Sequence, residues 1–227
     1  MDPLAGSPWS TPDTVAGFVR SPPNEVLLGV AAKELGLVEG RRLLDIGCGA
    51  GRNAVPLADM GWQVLATDLS WPMLVAASKR ESGAGNAGGL RLALAPMDRL
   101  PVATRSIDFV VAHGIWNLAS STATFRRAVA EAARVARPGA ALFVFTFSRH
   151  TLPPEVEPVS GEDFVFTQFS GQRQCFLTEE QLIAEMRAAG FDLEPGAPVR
   201  EYNRPHSGAL VRGSGPVIYE GIFRRRP

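Results

Sequence analysis

Only two cysteines, Cys48 and Cys175, occur among 227 residues, too few for a disulfide framework, so a reduced, cytoplasmic setting is expected. The three histidines, His113, His150 and His206, are scattered and lack the spacing of metal ligands, and no metal is expected. Excess charge of either sign is missing too, since 23 Lys and Arg balance 23 Asp and Glu. A neutral chain carries no electrostatic footprint for DNA, RNA or an anionic membrane, so none of these is an expected partner. The triplet Arg224–Arg226 is a local exception and reads as a solvated tail. No apolar run reaches membrane-spanning length, and the first residues, punctuated by Pro3, Pro8 and Pro12, do not read as a secretory leader. What is present is length and hydrophobicity, 45% of residues, enough for one domain with a sizeable core.

Residues 1–23 read as an irregular, proline-rich arm with a short helix near Thr14–Val19, and Trp9 and Phe18 could either plug onto the domain or cover a pocket. A domain follows over 24–227. Asn24 can cap a helix that ends at Leu35 before Gly36. Strands and helices then alternate. Strands are expected at Leu43–Ile46, at 62–67 closing on Asp68, at Leu90–Ala95, at Ser106–His113 and at Ala140–Phe147. The helices between them are expected from Arg52 to Met60, after Ser70, and over Thr122–Ala136 with Phe125, Val129, Ala132 and Val135 on one stripe. Pro56 is awkward in the first of these unless it falls in the first turn. Gly83–Gly89 reads as a loop, and Arg137-Pro138-Gly139 as the stop after the third helix.

An insertion over 148–177 holds Phe164, Phe166, Phe169 and Phe176 and reads as lid-like, with packing among its own phenylalanines as the alternative. Thr178-Glu-Glu-Gln181 is a capping box opening a last helix, and strand-like segments remain near Pro198–Tyr202 and Val217–Phe223. Such alternation implies an α/β, doubly wound, mostly parallel sheet with an antiparallel ending.

The most informative stretch is Leu43-Leu-Asp-Ile-Gly-Cys-Gly-Ala-Gly-Arg52. A strand that enters a helix through Gly47, Gly49 and Gly51 lets a ligand approach bare backbone. Asp45 places a carboxylate at the strand end, where a cationic group could lie. Asp68, closing the second strand, can accept from both hydroxyls of a ribose. A dinucleotide-binding pattern fails when counted from Gly47, because the third position is Arg52, but passes from Gly49, where it is Ala54. Asp45 tells against a pyrophosphate by like charge and favours an amino group or a sulfonium. An NAD(P)-dependent oxidoreductase and a non-catalytic nucleoside-binding protein stay open at this point.

With Asp45-x-Gly47-x-Gly49-x-Gly51 and a later acid at Asp68, the chain resembles the class I S-adenosylmethionine-dependent methyltransferases. Met97-Asp98, Ile107-Asp-Phe-Val-Val111, Arg137-Pro-Gly139 and the closing Phe176–Phe191 segment fall in that family's order. The run Gly51–Ala54 also resembles the tellurite- and thiol-methylating subgroup. The resemblance implies a Rossmann-like seven-stranded sheet with an antiparallel C-terminal strand, and S-adenosyl-L-methionine as cofactor. It implies that Asp45 holds the methionine amino group, that Gly47, Cys48 and Gly49 lie along the amino-acid portion, and that Gly51 and Asn53 are also cofactor-binding. Asp68 would take the ribose, Leu69 the adenine face, and Met97 and Asp98 the adenine edge. His113 would flank the methionine portion and the transferable methyl.

A sulfonium makes its methyl electrophilic unaided, so the expected reaction is a single in-line displacement onto a small-molecule acceptor, with alignment as the protein's main contribution. His113 is the candidate catalytic residue if a general base is required, and otherwise shapes the pocket; His150 and His206 are weaker candidates. Trp116 and Asn117 could offer a stacking face and a polar handle to the acceptor, or be core and turn residues. No Asn/Asp-Pro-Pro-Tyr/Phe motif follows the fourth strand and no Pro-Cys dipeptide is present, which argues against a nucleic-acid base as acceptor.

Overall fold

The computed structural model describes residues 2–80, 89–204 and 215–227. In chain order the helices are α1 (Pro12–Arg20), α2 (Glu25–Leu35), α3 (Ala54–Asp59), α4 (Trp71–Lys79), α5 (Thr122–Val135) and α6 (Glu179–Ala188). The strands are β1 (Arg42–Ile46), β2 (Gln63–Asp68), β3 (Leu90–Leu94), β4 (Ile107–His113), β5 (Ala136–Phe147), β6 (Val165–Phe166), β7 (Gln174–Cys175), β8 (Phe191–Leu193), β9 (Arg200–Tyr202) and β10 (Ile218–Arg225). The main sheet runs β3-β2-β1-β4-β5-β10-β8, with β9 also paired to β10. The pairs from β3 across to β5 are parallel, and β10 is antiparallel to each of its neighbours. The chain is thus α/β with a mostly parallel sheet and an antiparallel ending.

The central strands are apolar on both faces because both are covered. Leu44, Ile46, Val110, Ala112, Leu142 and Val144 face the core shared with Phe125, Val129 and Ala132 of α5 and with Leu182 and Met186 of α6. Leu43, Phe109, Val111, Ala141 and Phe143 face the opposite way, toward Leu27 and Ala31 of α2 and Ala54, Leu57 and Ala58 of α3. Trp62 locks that second layer by donating Nε1–H to the Ala31 carbonyl at 3.2 Å, its ring 5.7 Å from that of Phe109.

Local signals explain most boundaries. The side chains of Asn24, Ser70, Ser121 and Thr178 each accept a backbone N–H at a helix start, and Thr178 with Gln181 completes the capping box. Helix α3 begins at Ala54 and not at Arg52, which puts Pro56 at its third residue, inside the first turn, where its missing N–H costs no helical bond. Helix α1 is longer than the proline-rich arm suggests, since Pro12 falls in its first turn and Thr11 caps it.

Three local expectations are corrected. Arg137-Pro138-Gly139 is not a free stop but a bulge within β5. Between Ile107 and Phe109 the β5 partner jumps from Ala136 to Ala141, a slip that accommodates the missing Pro138 N–H and the left-handed Gly139, φ 80°. Phe191–Leu193, for which no strand was expected, is a strand along the second half of β10, while β9 occupies the first half. The C-terminal arginines are anchored: Arg224 grips Glu34 through two 2.8 Å bonds and Glu194 through a third, and Arg225 donates to the carbonyls of Ala133 and Gly190. Most of the Gly83–Gly89 loop, and His206, lie outside the described residues.

Within 148–177, Phe164, Phe166 and Phe176 are buried and Phe169 is half-exposed. Phe164 stands edge-on to Phe125 at 5.1 Å, so this part of the insertion packs into the α5 side of the core. Phe109→Ala should empty the centre of the opposite layer and cost about 3–5 kcal/mol. Urea denaturation should show a lowered midpoint at unchanged slope; an unmoved midpoint would mean that the two layers are not held as described.

Candidate active site

The glycine turn after β1 is fixed by the neighbouring strand. The Thr67 carbonyl accepts from the backbone N–H of both Gly47 and Cys48, at 2.8 and 2.9 Å, and the Gly51 N–H closes onto the Cys48 carbonyl at 3.0 Å. Gly47 and Gly49 hold φ of 71° and 54°, a region that side chains disfavour. Space gives a second reason: a Cβ on Gly47 would lie 2.6 Å from Ile115, and one on Gly49 would lie 2.9 Å from Phe18. Asp68 braces the turn from β2, with Oδ2 accepting from Gly49 N–H at 2.9 Å and Oδ1 from Ser70 N–H at 2.8 Å.

A cavity of about 330 Å³ opens over this turn, within the range of small-molecule sites, roughly 300–1,000 Å³. Gly47, Gly49, Asp68, Leu69, Met97, Asp98 and His113 all line it. Residues that the sequence reading did not single out complete the wall: Ile115, Leu118 and Thr124 after β4, Met73 from α4, and Leu4 from the N-terminal arm. Trp9 and Phe18 of that arm also line it, edge-on to each other at 6.2 Å. No residue of α1 or of the preceding turn is buried. Hydrogen bonds hold the arm instead: Ser10 to Ser70 at 3.0 Å, Trp71 N–H to Asp2 at 3.1 Å, and Arg80 to the carbonyls of Val19 and Ser21 at 3.2 Å each.

Six of the sequence candidates, Asp45, Cys48, Gly51, Asn53, Trp116 and Asn117, are not among the residues that line the cavity. Trp116 and Asn117 are 1% and 2% exposed and outside the cavity wall; the Trp116 ring stands edge-on to Phe125, 6.1 Å away. Their chain neighbours Gly114, Ile115 and Leu118 face the cavity instead. Asn53 turns its Oδ1 to the Asn24 backbone N–H at 2.9 Å and so ties α3 to the start of α2. Cys48 is buried and its Sγ–H reaches only the Gly49 carbonyl; burial pushes its thiol well above the usual range, so it is no nucleophile. Asp98 lines the cavity with its Oδ2 held by Arg127 at 3.2 Å.

Asp45 is 1% exposed, and its Oδ2 has no hydrogen-bond partner. Burial first, then the charge of Asp68, push its pKa from 3.8 up to about 7, against a lowering influence from Arg52. Asp68 is also raised, by burial above all. His113 moves the other way, down to about 3, because burial and the Arg52 charge both oppose its protonation. Its ring stacks on Phe145 at 4.1 Å, with Nε2 3.2 Å from the Asn24 amide nitrogen and Nδ1 3.1 Å from Arg52 Nη2. The same Asn24 nitrogen donates to the buried Glu220, which also accepts from the Tyr202 hydroxyl. His150, beyond β5, sits away from this cavity and pairs with Glu201 at 2.6 Å.

Residues 44–144 match the family described as a methyltransferase domain. A ubiquinone biosynthesis O-methyltransferase of Azorhizobium caulinodans is 30% identical over 78% of this chain and 68% of its own length. The chain belongs to the class I S-adenosylmethionine-dependent methyltransferases. A demethylmenaquinone methyltransferase of Corynebacterium urealyticum is 28% identical over 70% of this chain and 71% of its own. The match to a second enzyme of that name, from Renibacterium salmoninarum, is 35% identical but spans only 47% of that relative. Among solved structures, the CcbJ methyltransferase of Streptomyces caelestis aligns with a TM-score of 0.66 at 17% identity, covering 94% of this chain and 96% of that one. The [4+2]-cyclase SpnF aligns at 0.64 and 22% identity, over 89% and 80%. These two likenesses show the fold alone, and the second shows that the fold by itself does not set the chemistry.

The buried, unpaired carboxylate of Asp45 has a consequence for stability. Its folded pKa lies above the usual 3.8, so the folded state holds the proton more tightly than the unfolded chain. Stability therefore falls as pH rises from near 4 through about 7, and the penalty is complete above that window. Asp45→Asn should raise the melting temperature, more at pH 8 than at pH 5. An equal effect at both pH values would show that Asp45 is not held unpaired.

Proposed function

We propose that the protein transfers a methyl group from S-adenosylmethionine to a small-molecule acceptor of the quinone class for which its relatives are named. The observation that carries the cofactor side is the lone Oδ2 of Asp45, buried behind a glycine cradle that a Cβ would fill. An ammonium group is the partner that such a carboxylate lacks. Asp68 keeps lone pairs beyond those spent on Gly49 and Ser70, enough for the two ribose hydroxyls. Leu69 and Met97 would flank the adenine ring and Asp98 its amino group. When bound, the sulfonium supplies an activated methyl.

The chain's own contribution is alignment and exclusion of water. The neutral His113 ring, kept uncharged by burial and by Arg52, would stand beside the sulfonium without repelling it. With a pKa near 3 it is a poor proton acceptor, which favours the pocket-shaping role over general-base catalysis. Residues 1–23 act as the lid over a methyltransferase domain of 24–227: Leu4, Trp9 and Phe18 already form part of the wall, and the arm is attached by polar contacts that can open without exposing a core. No helix among the described residues is long and apolar enough to cross a membrane, and the balanced charge favours a small acceptor over nucleic acid.

Calorimetric titration with S-adenosylhomocysteine, with NAD and NADP beside it, tests this reading. Binding of the first alone is expected. Asp68→Asn, which retains one carbonyl acceptor for the turn, should weaken it by about 1.5–3 kcal/mol, one charge-assisted bond. Unchanged affinity would show that the ribose is elsewhere, and heat with NAD alone would overturn the methyltransferase reading.

A further inference from the structure

His113 lines the cavity, yet both of its ring nitrogens face groups that lie outside the cavity wall. Nε2 stands 3.2 Å from the Asn24 amide nitrogen and Nδ1 stands 3.1 Å from Arg52 Nη2, and neither Asn24 nor Arg52 lines the cavity. Asn24 is held in a donating orientation from two sides. Its Oδ1 accepts from Leu27 N–H at 2.9 Å, so the atom turned toward the ring is the amide nitrogen. One N–H of that nitrogen goes to the buried Glu220 Oε2 at 3.0 Å, and Glu220 is itself fixed by the Tyr202 hydroxyl at 3.0 Å. The other N–H is left for His113 Nε2. Arg52 has no acceptor atom, so it too can only donate to the ring.

A neutral imidazole carries one N–H and one lone pair, and burial together with the Arg52 charge keeps this ring neutral. With a donor at each nitrogen, the lone pair is covered in either tautomer, by Asn24 at Nε2 or by Arg52 at Nδ1. In each tautomer the remaining donor faces the ring N–H unmatched, a cost that a ring anchored by a single hydrogen bond would not carry. The stack on Phe145 at 4.1 Å holds the ring plane. What His113 presents to the cavity is therefore carbon.

We propose that Asn24 and Arg52 are positioning residues that keep both nitrogens of His113 out of the cavity, so that the ring walls the reacting methyl without taking it. Glu220 belongs to the same device, because it sets the Asn24 amide. This rests on the methyltransferase reading and goes beyond it, giving three residues behind the wall a part in excluding a side reaction. An imidazole lone pair is a nucleophile, and the sulfonium offers it an activated methyl. The reaction excluded is methylation of the enzyme by its own cofactor. The lone pair would form an N–CH3 bond as the S–CH3 bond breaks, the electron pair of that bond would stay on sulfur as S-adenosylhomocysteine, and the ring proton would pass to water.

The test is peptide mass spectrometry of the full chain after incubation with S-adenosylmethionine and no acceptor. The unmodified protein should carry no methyl on His113. Asn24→Ser keeps an oxygen to cap α2 and removes the amide, and Arg52→Met removes the guanidinium. Each single variant leaves the lone pair one donor and should stay unmethylated. The double variant frees it, and a single methyl should build up on His113 with a matching amount of S-adenosylhomocysteine. A methyl on His113 in the unmodified protein or in either single variant would overturn the assignment, as would its absence from a double variant that binds S-adenosylhomocysteine in calorimetry. Nitrogen-resolved NMR of labelled histidine decides the matter if the double variant does not fold. In the unmodified protein without ligand, the unprotonated nitrogen of His113 should show the shift of a hydrogen-bonded acceptor, and the shift of a free lone pair would overturn the assignment. Failure of the unmodified protein to bind S-adenosylhomocysteine would instead remove the methyltransferase reading, and the proposed role with it.

Discussion

The carboxylate of Asp45 is buried at the end of a central strand with nothing to neutralise it, and the rest of the site is arranged around that cost. Burying an unpaired carboxylate is expensive, and the raised pKa of Asp45 is the direct expression of the expense. It is sustained because β1 is clamped between β2 and β4 and cannot tilt the side chain toward water. The glycine turn that follows is equally overdetermined, tied to Thr67 by two bonds and to Asp68 by a third. Structure that resists relaxation so firmly keeps the carboxylate buried and its Oδ2 without a partner.

Around this rigid floor the walls differ in how firmly they are attached. Asp68, His113 and Ile115 belong to, or directly follow, strands of a sheet packed on both sides. The N-terminal arm has no buried residue in its helix and is held by hydrogen bonds to Ser70, Trp71 and Arg80. Such contacts contribute little each, about 0.5–1.5 kcal/mol, so the arm belongs to the low-stability part of the molecule while the glycine turn belongs to the high-stability part. A rigid floor with a weakly fastened cover suits a site that must admit and release a large ligand.

Asn24 joins these parts. Its Oδ1 caps α2, its backbone N–H is taken by Asn53, and its amide nitrogen meets Glu220 and His113. It also follows Pro22 and Pro23 directly, at the root of the arm. The junction between arm and domain is therefore wired to a ring that lines the cavity, and Arg52 touches the same ring from the glycine-turn side.

The sequence by itself determined the order of strands and helices, most caps, and the glycine turn that follows Asp45, with Asp68 closing the next strand. Those features are local: periodicity, caps and a glycine spacing are written within a few residues of where they act. Helix α3 began two residues late and β5 absorbed Arg137-Pro138-Gly139 as a bulge, because pairing with β4 outweighed the local helix-stop signal. Phe191–Leu193 became a strand only because the long β10 offered it an edge. The tertiary structure alone decided that Trp116 and Asn117 turn into the core while Ile115 and Leu118 face the cavity, since a short turn after β4 sets their directions. It alone brought Phe18 to Gly49, Glu220 to Asn24 and Arg52 to His113, pairs separated by 31, 196 and 61 residues. Contacts at such separations depend on how the layers pack, and no local pattern in the chain encodes them.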